Sequence, residues 1–169
     1  MRRCLTLFIC QVILWAIVTQ LNHTLSGMRV HLFIGALFVT YAALTQPLAS
    51  GLLATLLSGL VFDANTPVGF GTHMVLFAFT HVVVFGLRDR VPRNETLSRV
   101  VIAVLANLAL FLVFAMTQMV NLPSTAAVWP RLLIELACSQ VLVALIAPWF
   151  FALQTRALAI ARVDMNSLA

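Results

Sequence analysis

Charge is scarce in this sequence, and lysine is absent from it. Only 9% of the 169 residues are charged, whereas 62% are hydrophobic and the mean hydropathy is +1.05. This apolar fraction lies well above that of soluble globular domains. The composition therefore predicts an integral membrane protein in which one domain, residues 1–169, consists of helices packed within the bilayer.

The basic residues are ten arginines against five acidic residues, which gives a net charge of +5. They lie beside apolar segments and do not form a broad basic face with interleaved aromatic residues, so nucleic-acid binding is not expected. Arginines next to membrane spans are typical of cytoplasmic loops, because cationic loops resist translocation. We interpret the positive charge as an orientation signal.

Few residues point to chemistry. Cys4, Cys10 and Cys138 are odd in number and widely spaced, which indicates neither a disulfide framework nor a CxxC metal or redox site. The sequence has no HExxH, no Gly-x-Ser-x-Gly and no glycine-rich phosphate loop. We therefore expect no catalytic activity, no cofactor and no metal.

Apolar segments of about 20 residues are long enough to cross a bilayer. They predict an all-α, six-transmembrane-helix bundle with short loops. The predicted spans are residues 4–22, 30–46, 48–62, 72–87, 99–120 and 131–153. The second and third are short, and Pro47 separates them, so a re-entrant hairpin is the alternative to two full crossings.

Six crossings place both termini on one side of the membrane. That side would hold eight arginines, leaving Arg29 and Arg131 on the other, and the excess predicts that both termini are cytoplasmic. The eight are Arg2, Arg3, Arg88, Arg90, Arg93, Arg99, Arg156 and Arg162.

Small side chains repeat every four residues in the third span, on two adjacent stripes. The stripes are Ser50, Ala54 and Ser58, and Gly51, Thr55 and Gly59. Small residues let helix backbones approach closely in membranes. We expect the stripes to pack against helices of the same chain, and the alternative is a docking face for a partner helix.

Asp63 follows these stripes, just before a turn rich in helix breakers that includes Gly69 and Gly71. A carboxylate near the carboxyl end of a helix meets the negative end of the helix dipole, so it needs a partner. Either it caps the turn over residues 65–71, or it contacts a ligand or another protein.

Glu135 lies four residues after Arg131, the spacing of an ion pair on one helix face. The alternative is an outer polar cluster in a water-filled cavity, formed by Arg29, Asp63, Arg131 and Glu135. His73 and His81 are eight residues apart, about 80° around a helix, which is not the spacing of two ligands to one metal. We interpret them as core or interface histidines.

The run from Gly51 to Asp63, followed after a short turn by residues 68–71, resembles the glycine-rich signature of the MreD family. MreD proteins are small bacterial membrane proteins that determine rod shape. The resemblance covers residues 29–87, and chain length, span number and the basic loop before the fifth span agree with it. The packing or partner residues that it implies are Gly51, Thr55, Ser58, Gly59, Asp63, Gly69 and Gly71.

This resemblance implies a non-catalytic subunit of the cell-elongation complex in the bacterial inner membrane. Such a subunit binds the bitopic protein MreC and helps to couple the MreB cytoskeleton to peptidoglycan synthesis. The alternative is a substrate-binding subunit of an energy-coupling-factor vitamin transporter. Those subunits share an Ala-x-x-x-Ala contact in their first helix, whereas the first span here contains only Ala16.

Overall fold

The structure, a computed structural model, describes residues 2–28, 30–66, 69–90, 96–119 and 129–161. Within these ranges the chain is helical and has no strand. The six α-helices are α1 (Arg2–Leu25), α2 (Gly35–Thr45), α3 (Leu48–Asn65), α4 (Thr72–Leu87), α5 (Thr96–Met119) and α6 (Trp129–Ile160). Short 3₁₀ turns, Ser26–Met28 and Arg88–Arg90, follow α1 and α4.

Four of these helices, α1, α3, α5 and α6, are long and apolar enough to cross a membrane. The predicted all-helical class is therefore confirmed for the described residues, and these four helices are compatible with a membrane protein. Most predicted boundaries differ from the structure by a few residues, and α4 matches the predicted fourth span. The largest difference between a predicted and an observed boundary is at the end of α6, which was predicted at residue 153 and lies at Ile160. This helix contains Pro148.

The prediction of a continuous second span over residues 30–46 is wrong in one respect. Residues 30–34 are not helical, and α2 contains only 11 residues. We call residues 30–34 the unwound segment. Within a membrane an unwound backbone must find hydrogen-bond partners inside the protein, and here side chains of α1, α5 and α6 provide them. All nine residues from Gly35 to Ala43 are buried, so α2 is the central helix of the bundle.

The unwound segment and α2 run side by side with α6. The backbone N–H of His31 lies 3.3 Å from Glu135, and the Tyr41 hydroxyl lies 2.9 Å from Thr155 Oγ1. Glu135 and Thr155 are separated by about 30 Å along an α-helix. At about 3.3 Å per extended residue and 1.5 Å per helical residue, the unwound segment and α2 together (residues 31–45) reach at most about 28 Å, which is close to the thickness of the bilayer's hydrocarbon core.

Ring contacts of Phe114 bring several helix ends to the same end of the bundle. The Phe114 ring lies 5.8 Å from Phe33, in the unwound segment, and 5.1 Å from His73, near the start of α4. Asp63 and Glu135 contact these same two regions. We call this the carboxylate end, and it contains Asn22, His31, Asp63, His73, Phe114 and Glu135.

The opposite ends of these helices meet at the other end of the bundle. The later part of α2 contacts the later part of α6 through Tyr41 and Thr155, and Gly51, in the first turn of α3, lies beside His81, in the second half of α4. The starts of α1 and α5 also lie there, since their later residues reach the carboxylate end. We call this the arginine end, and its described arginines are Arg2, Arg3, Arg88, Arg90, Arg99 and Arg156.

Candidate functional site

Asp63, at the carboxylate end, accepts four hydrogen bonds. Its Oδ1 accepts from the His73 backbone N–H at 2.8 Å and from His73 Nδ1 at 2.9 Å. Its Oδ2 accepts from the backbone N–H groups of Gly71 at 3.0 Å and Met74 at 3.1 Å. A carboxylate has about four lone-pair positions. Four donors therefore occupy the whole accepting capacity of Asp63.

These donors belong to the amino-terminal turn of α4, whose first N–H groups have no partner within the helix. The carboxylate thus occupies the positive end of the α4 dipole, which offsets its unfavourable position at the end of α3. Gly71 precedes α4 with a φ of 95°, a left-handed conformation that glycine adopts without steric cost. Gly69 supports the same turn, since its carbonyl accepts from the Thr72 hydroxyl at 2.6 Å.

Asp63 lies inside α3, one residue beyond the predicted end of the third span at residue 62. The helix continues to Asn65, and the Asp63 side chain has 0% exposure. Of the two interpretations offered by the sequence, the structure shows a cap on the turn. The cap extends further than expected because it includes the start of α4 and the His73 ring.

The two small-residue stripes of α3 lie inside the chain. A Cβ on Gly59 would stand 2.5 Å from Met74 Cα, and one on Gly51 would stand 2.8 Å from His81 Cε1. Ala54, Thr55, Ser58 and both glycines are buried. The close approach between α3 and α4 uses the glycine stripe, so that surface is not available to a partner helix.

Polar members of the stripes bond to neighbouring helices. The Ser58 hydroxyl donates to Gln11 Oε1 of α1 at 2.6 Å, and the Gln11 amide donates to the Phe38 carbonyl of α2. Thr55 lies 3.0 Å from His81 Nδ1 of α4 and donates to the Gly51 carbonyl at 2.9 Å. Ser58 therefore links α3 to α1, and Thr55 links α3 to α4.

The backbone of the unwound segment bonds to side chains of three helices. The Asn22 amide of α1 accepts from Leu32 N–H at 2.8 Å and donates to the Leu32 carbonyl at 3.0 Å. Ser139 of α6 accepts from Phe33 N–H at 3.0 Å. Asn107 of α5 donates to the Phe33 carbonyl at 3.1 Å and accepts from Ala36 N–H at 3.4 Å. These side chains replace the intrahelical bonds that residues 30–34 lack.

Glu135 forms the expected ion pair, with Arg131 Nε 2.9 Å from its Oε1. The same oxygen faces the His31 backbone N–H, so the pair also holds the start of the unwound segment. The hydrogen bonds of Asp63 all go to residues 71–74, so the two carboxylates of the predicted outer cluster serve different backbone segments. Arg29, the remaining member, lies outside the described residues.

A small cavity of about 110 Å³ opens beside the unwound segment. It lies between α1 and the end of α3, with Trp15 and Phe62 as aromatic walls and Asn22, His31 and Asn65 as polar lining. Ligand pockets for small molecules usually have volumes of about 300–1,000 Å³. Among the described residues, no three His, Cys, Asp or Glu side chains come together as a metal site would require.

Sequence reasoning missed the role of Asn22 and Ser139. Residue 22 is the end of the first predicted span and Ser139 lies inside the sixth, and neither position predicted a contact with another backbone segment. An amide inside an apolar helix is a signal that some backbone nearby lacks its own partner. Comparison of the chain with protein-family models, with curated proteins and with solved structures gives no match.

Replacing Asn107 by alanine is expected to lower the free energy of unfolding by about 2 kcal/mol, because two buried backbone groups lose their partners. Unfolding in mixed dodecylmaltoside and SDS micelles measures this change. Asn65→Ala is the control, since Asn65 is exposed and bonds only within α3, to the Val61 carbonyl. Equal effects of the two substitutions would refute the role assigned to Asn107.

Proposed function

We propose that this chain is a multi-pass protein of the bacterial inner membrane with six crossings and cytoplasmic termini. The combined length of residues 31–45 supports a crossing by the unwound segment together with α2. The arrangement of charges supports the orientation, since six of the seven described arginines lie at the arginine end. An arginine-rich end is expected on the cytoplasmic side.

Within that membrane, the proposed role is that of a non-catalytic subunit of the cell-elongation complex. The chain would bind a bitopic protein of the MreC type and help to couple the MreB cytoskeleton to peptidoglycan synthesis. The resemblance of residues 51–71 to the MreD signature supports this role. In the structure, residues of that run form the close α3–α4 contact at Gly59 and the cap between Asp63 and Gly71.

The observation that carries the proposal is the complete use of Asp63 by the chain's own backbone and His73. A catalytic or transport carboxylate needs a free oxygen for a proton, an ion or a substrate. Asp63, with four donors, has none left, and Glu135 pairs with Arg131. The polar side chains of the bundle thus favour a rigid framework, and such a framework acts by contact with other proteins.

Co-purification from detergent extracts tests this role. The tagged chain is expected to retain the MreC-type protein of its own organism, whereas an unrelated six-span protein with the same tag should not. Depletion of the chain should convert rod-shaped cells to round cells, and the plasmid-borne chain should restore the rod. Absence of the MreC-type protein from extracts that retain other membrane complexes would count against the proposal.

The vitamin-transporter alternative has one observation in its favour, the cavity beside the unwound segment. Its volume of about 110 Å³ is below that of usual small-molecule pockets. Binding of a vitamin to the purified protein, measured by calorimetry at micromolar concentrations, would reverse the ranking of the two functions.

A further inference from the structure

The arginine end gathers positive charge from helices that are distant in sequence. Arg2 begins α1, Arg90 ends the 3₁₀ turn after α4, and Arg156 lies in the last part of α6. All three side chains are exposed. Contacts within the bundle bring the ends of these helices together. The three guanidinium groups therefore lie at the same end of the protein, the arginine end.

Little negative charge accompanies them. Asp89 is the acidic residue found at this end within the described ranges, and it lies 3.5 Å from Arg88 Nε. The Arg88 guanidinium also stacks over the Phe85 ring at 4.3 Å. The described residues of the arginine end thus include six arginines and one aspartate.

The carboxylate end has the opposite balance. Asp63 and Glu135 lie there, and Arg131, the described arginine of that end, pairs with Glu135 at 2.9 Å. Among the described residues, the excess of cationic groups thus lies at the arginine end of the bundle.

We propose that the rim formed by Arg2, Arg88, Arg90 and Arg156 binds the head groups of anionic phospholipids. At a membrane surface each arginine attracts anionic lipid with about 1 kcal/mol. The planar guanidinium forms two parallel hydrogen bonds to a phosphate group, which an ammonium group does not. A chain with ten arginines and no lysine is suited to that geometry. This inference does not depend on the proposed role in cell elongation.

Native mass spectrometry of the full chain tests the proposal. The purified protein in dodecylmaltoside is mixed with equimolar phosphatidylglycerol and phosphatidylcholine that have the same acyl chains, and the lipids retained are counted. We expect phosphatidylglycerol to be preferred. At about 1 kcal/mol per arginine, Arg90→Gln should reduce the preference by about fivefold, and the R2Q/R90Q/R156Q variant by about 150-fold. Circular dichroism verifies that the variants remain folded.

Arg131→Gln is the matched control, because it removes one positive charge from the other end of the bundle. It should leave the lipid preference unchanged. Equal retention of the two lipids by the unsubstituted protein would overturn the proposal. So would a loss of preference in Arg131→Gln as large as that in Arg90→Gln, since the effect would then follow net charge and not the rim.

Discussion

Alanine in place of Asp63 is expected to lower the free energy of unfolding by about 4 kcal/mol, the largest effect of any single substitution considered for this chain. The substitution leaves the N–H groups of Gly71, His73 and Met74 and the His73 ring without their acceptor. The Asp63 side chain has 0% exposure, so bulk solvent does not reach these groups in the folded protein. Unfolding in mixed micelles of dodecylmaltoside and SDS provides the measurement.

Asp63→Asn removes the negative charge of the cap but keeps the size and shape of its side chain. Its single oxygen serves one pair of donors, while its amide nitrogen faces N–H groups, so a loss of about 2 kcal/mol is expected. Asp89→Asn is the control, because the Asp89 side chain is 74% exposed. It should change stability by less than about 0.5 kcal/mol. An Asp63→Ala protein as stable as Asp89→Asn would refute the cap.

Alanine in place of Gly59 is expected to separate α3 from α4 and to cost about 3 kcal/mol of stability. The new Cβ would stand 2.5 Å from Met74 Cα and 2.9 Å from Met74 N. Both are backbone atoms, so no side chain can rotate away, and one helix has to move. The movement would also pull the start of α4 away from Asp63.

Gly86→Ala is the matched control for this substitution. Gly86 is also a helical glycine, in α4, but a Cβ there meets nothing within 4 Å. Because alanine has the higher helix propensity, stability should be unchanged or rise by up to about 1 kcal/mol. An equal loss of stability in Gly59→Ala and Gly86→Ala would show that the close approach of α3 to α4 does not explain the glycine at position 59.

Local patterns in the sequence predicted much of the framework. Hydropathy located the helices, most closely α4, because residues 72–87 are a nearly continuous apolar run between turn residues. The four-residue spacing of Gly51, Thr55 and Gly59 predicted a close contact, and the position of Asp63 at a helix end predicted a cap. Each of these features depends on residues that are near one another in the chain.

The unwound segment could not be predicted in the same way. Residues 30–34 are as apolar as a helix would be, and hydropathy does not distinguish the two conformations. Their backbone partners are Asn22, Asn107, Ser139 and Glu135, which come from three other helices. Only the tertiary structure brings these side chains to one place. The β-branched and aromatic residues Val30, Phe33 and Ile34 were the local signal for an extended backbone.

In the proposed topology, the unwound segment and α2 cross the membrane as a unit, held by polar side chains of their neighbours. If so, the chain crosses twice between Ser26 and Asn65, and both positions face the same side. If only the four long helices cross, α3 alone separates them, and they face opposite sides. Arg90 should face the side opposite to Asn65, since α4 lies between them.

Labelling of single cysteines in intact cells decides between these arrangements. Cys4, Cys10 and Cys138 are first replaced by alanine, and Ser26→Cys, Asn65→Cys and Arg90→Cys are then made one at a time at these exposed positions. A membrane-impermeant maleimide added after opening of the outer membrane should label Ser26→Cys and Asn65→Cys, and should reach Arg90→Cys only after lysis. Labelling of Ser26→Cys with protection of Asn65→Cys until lysis would contradict the crossing.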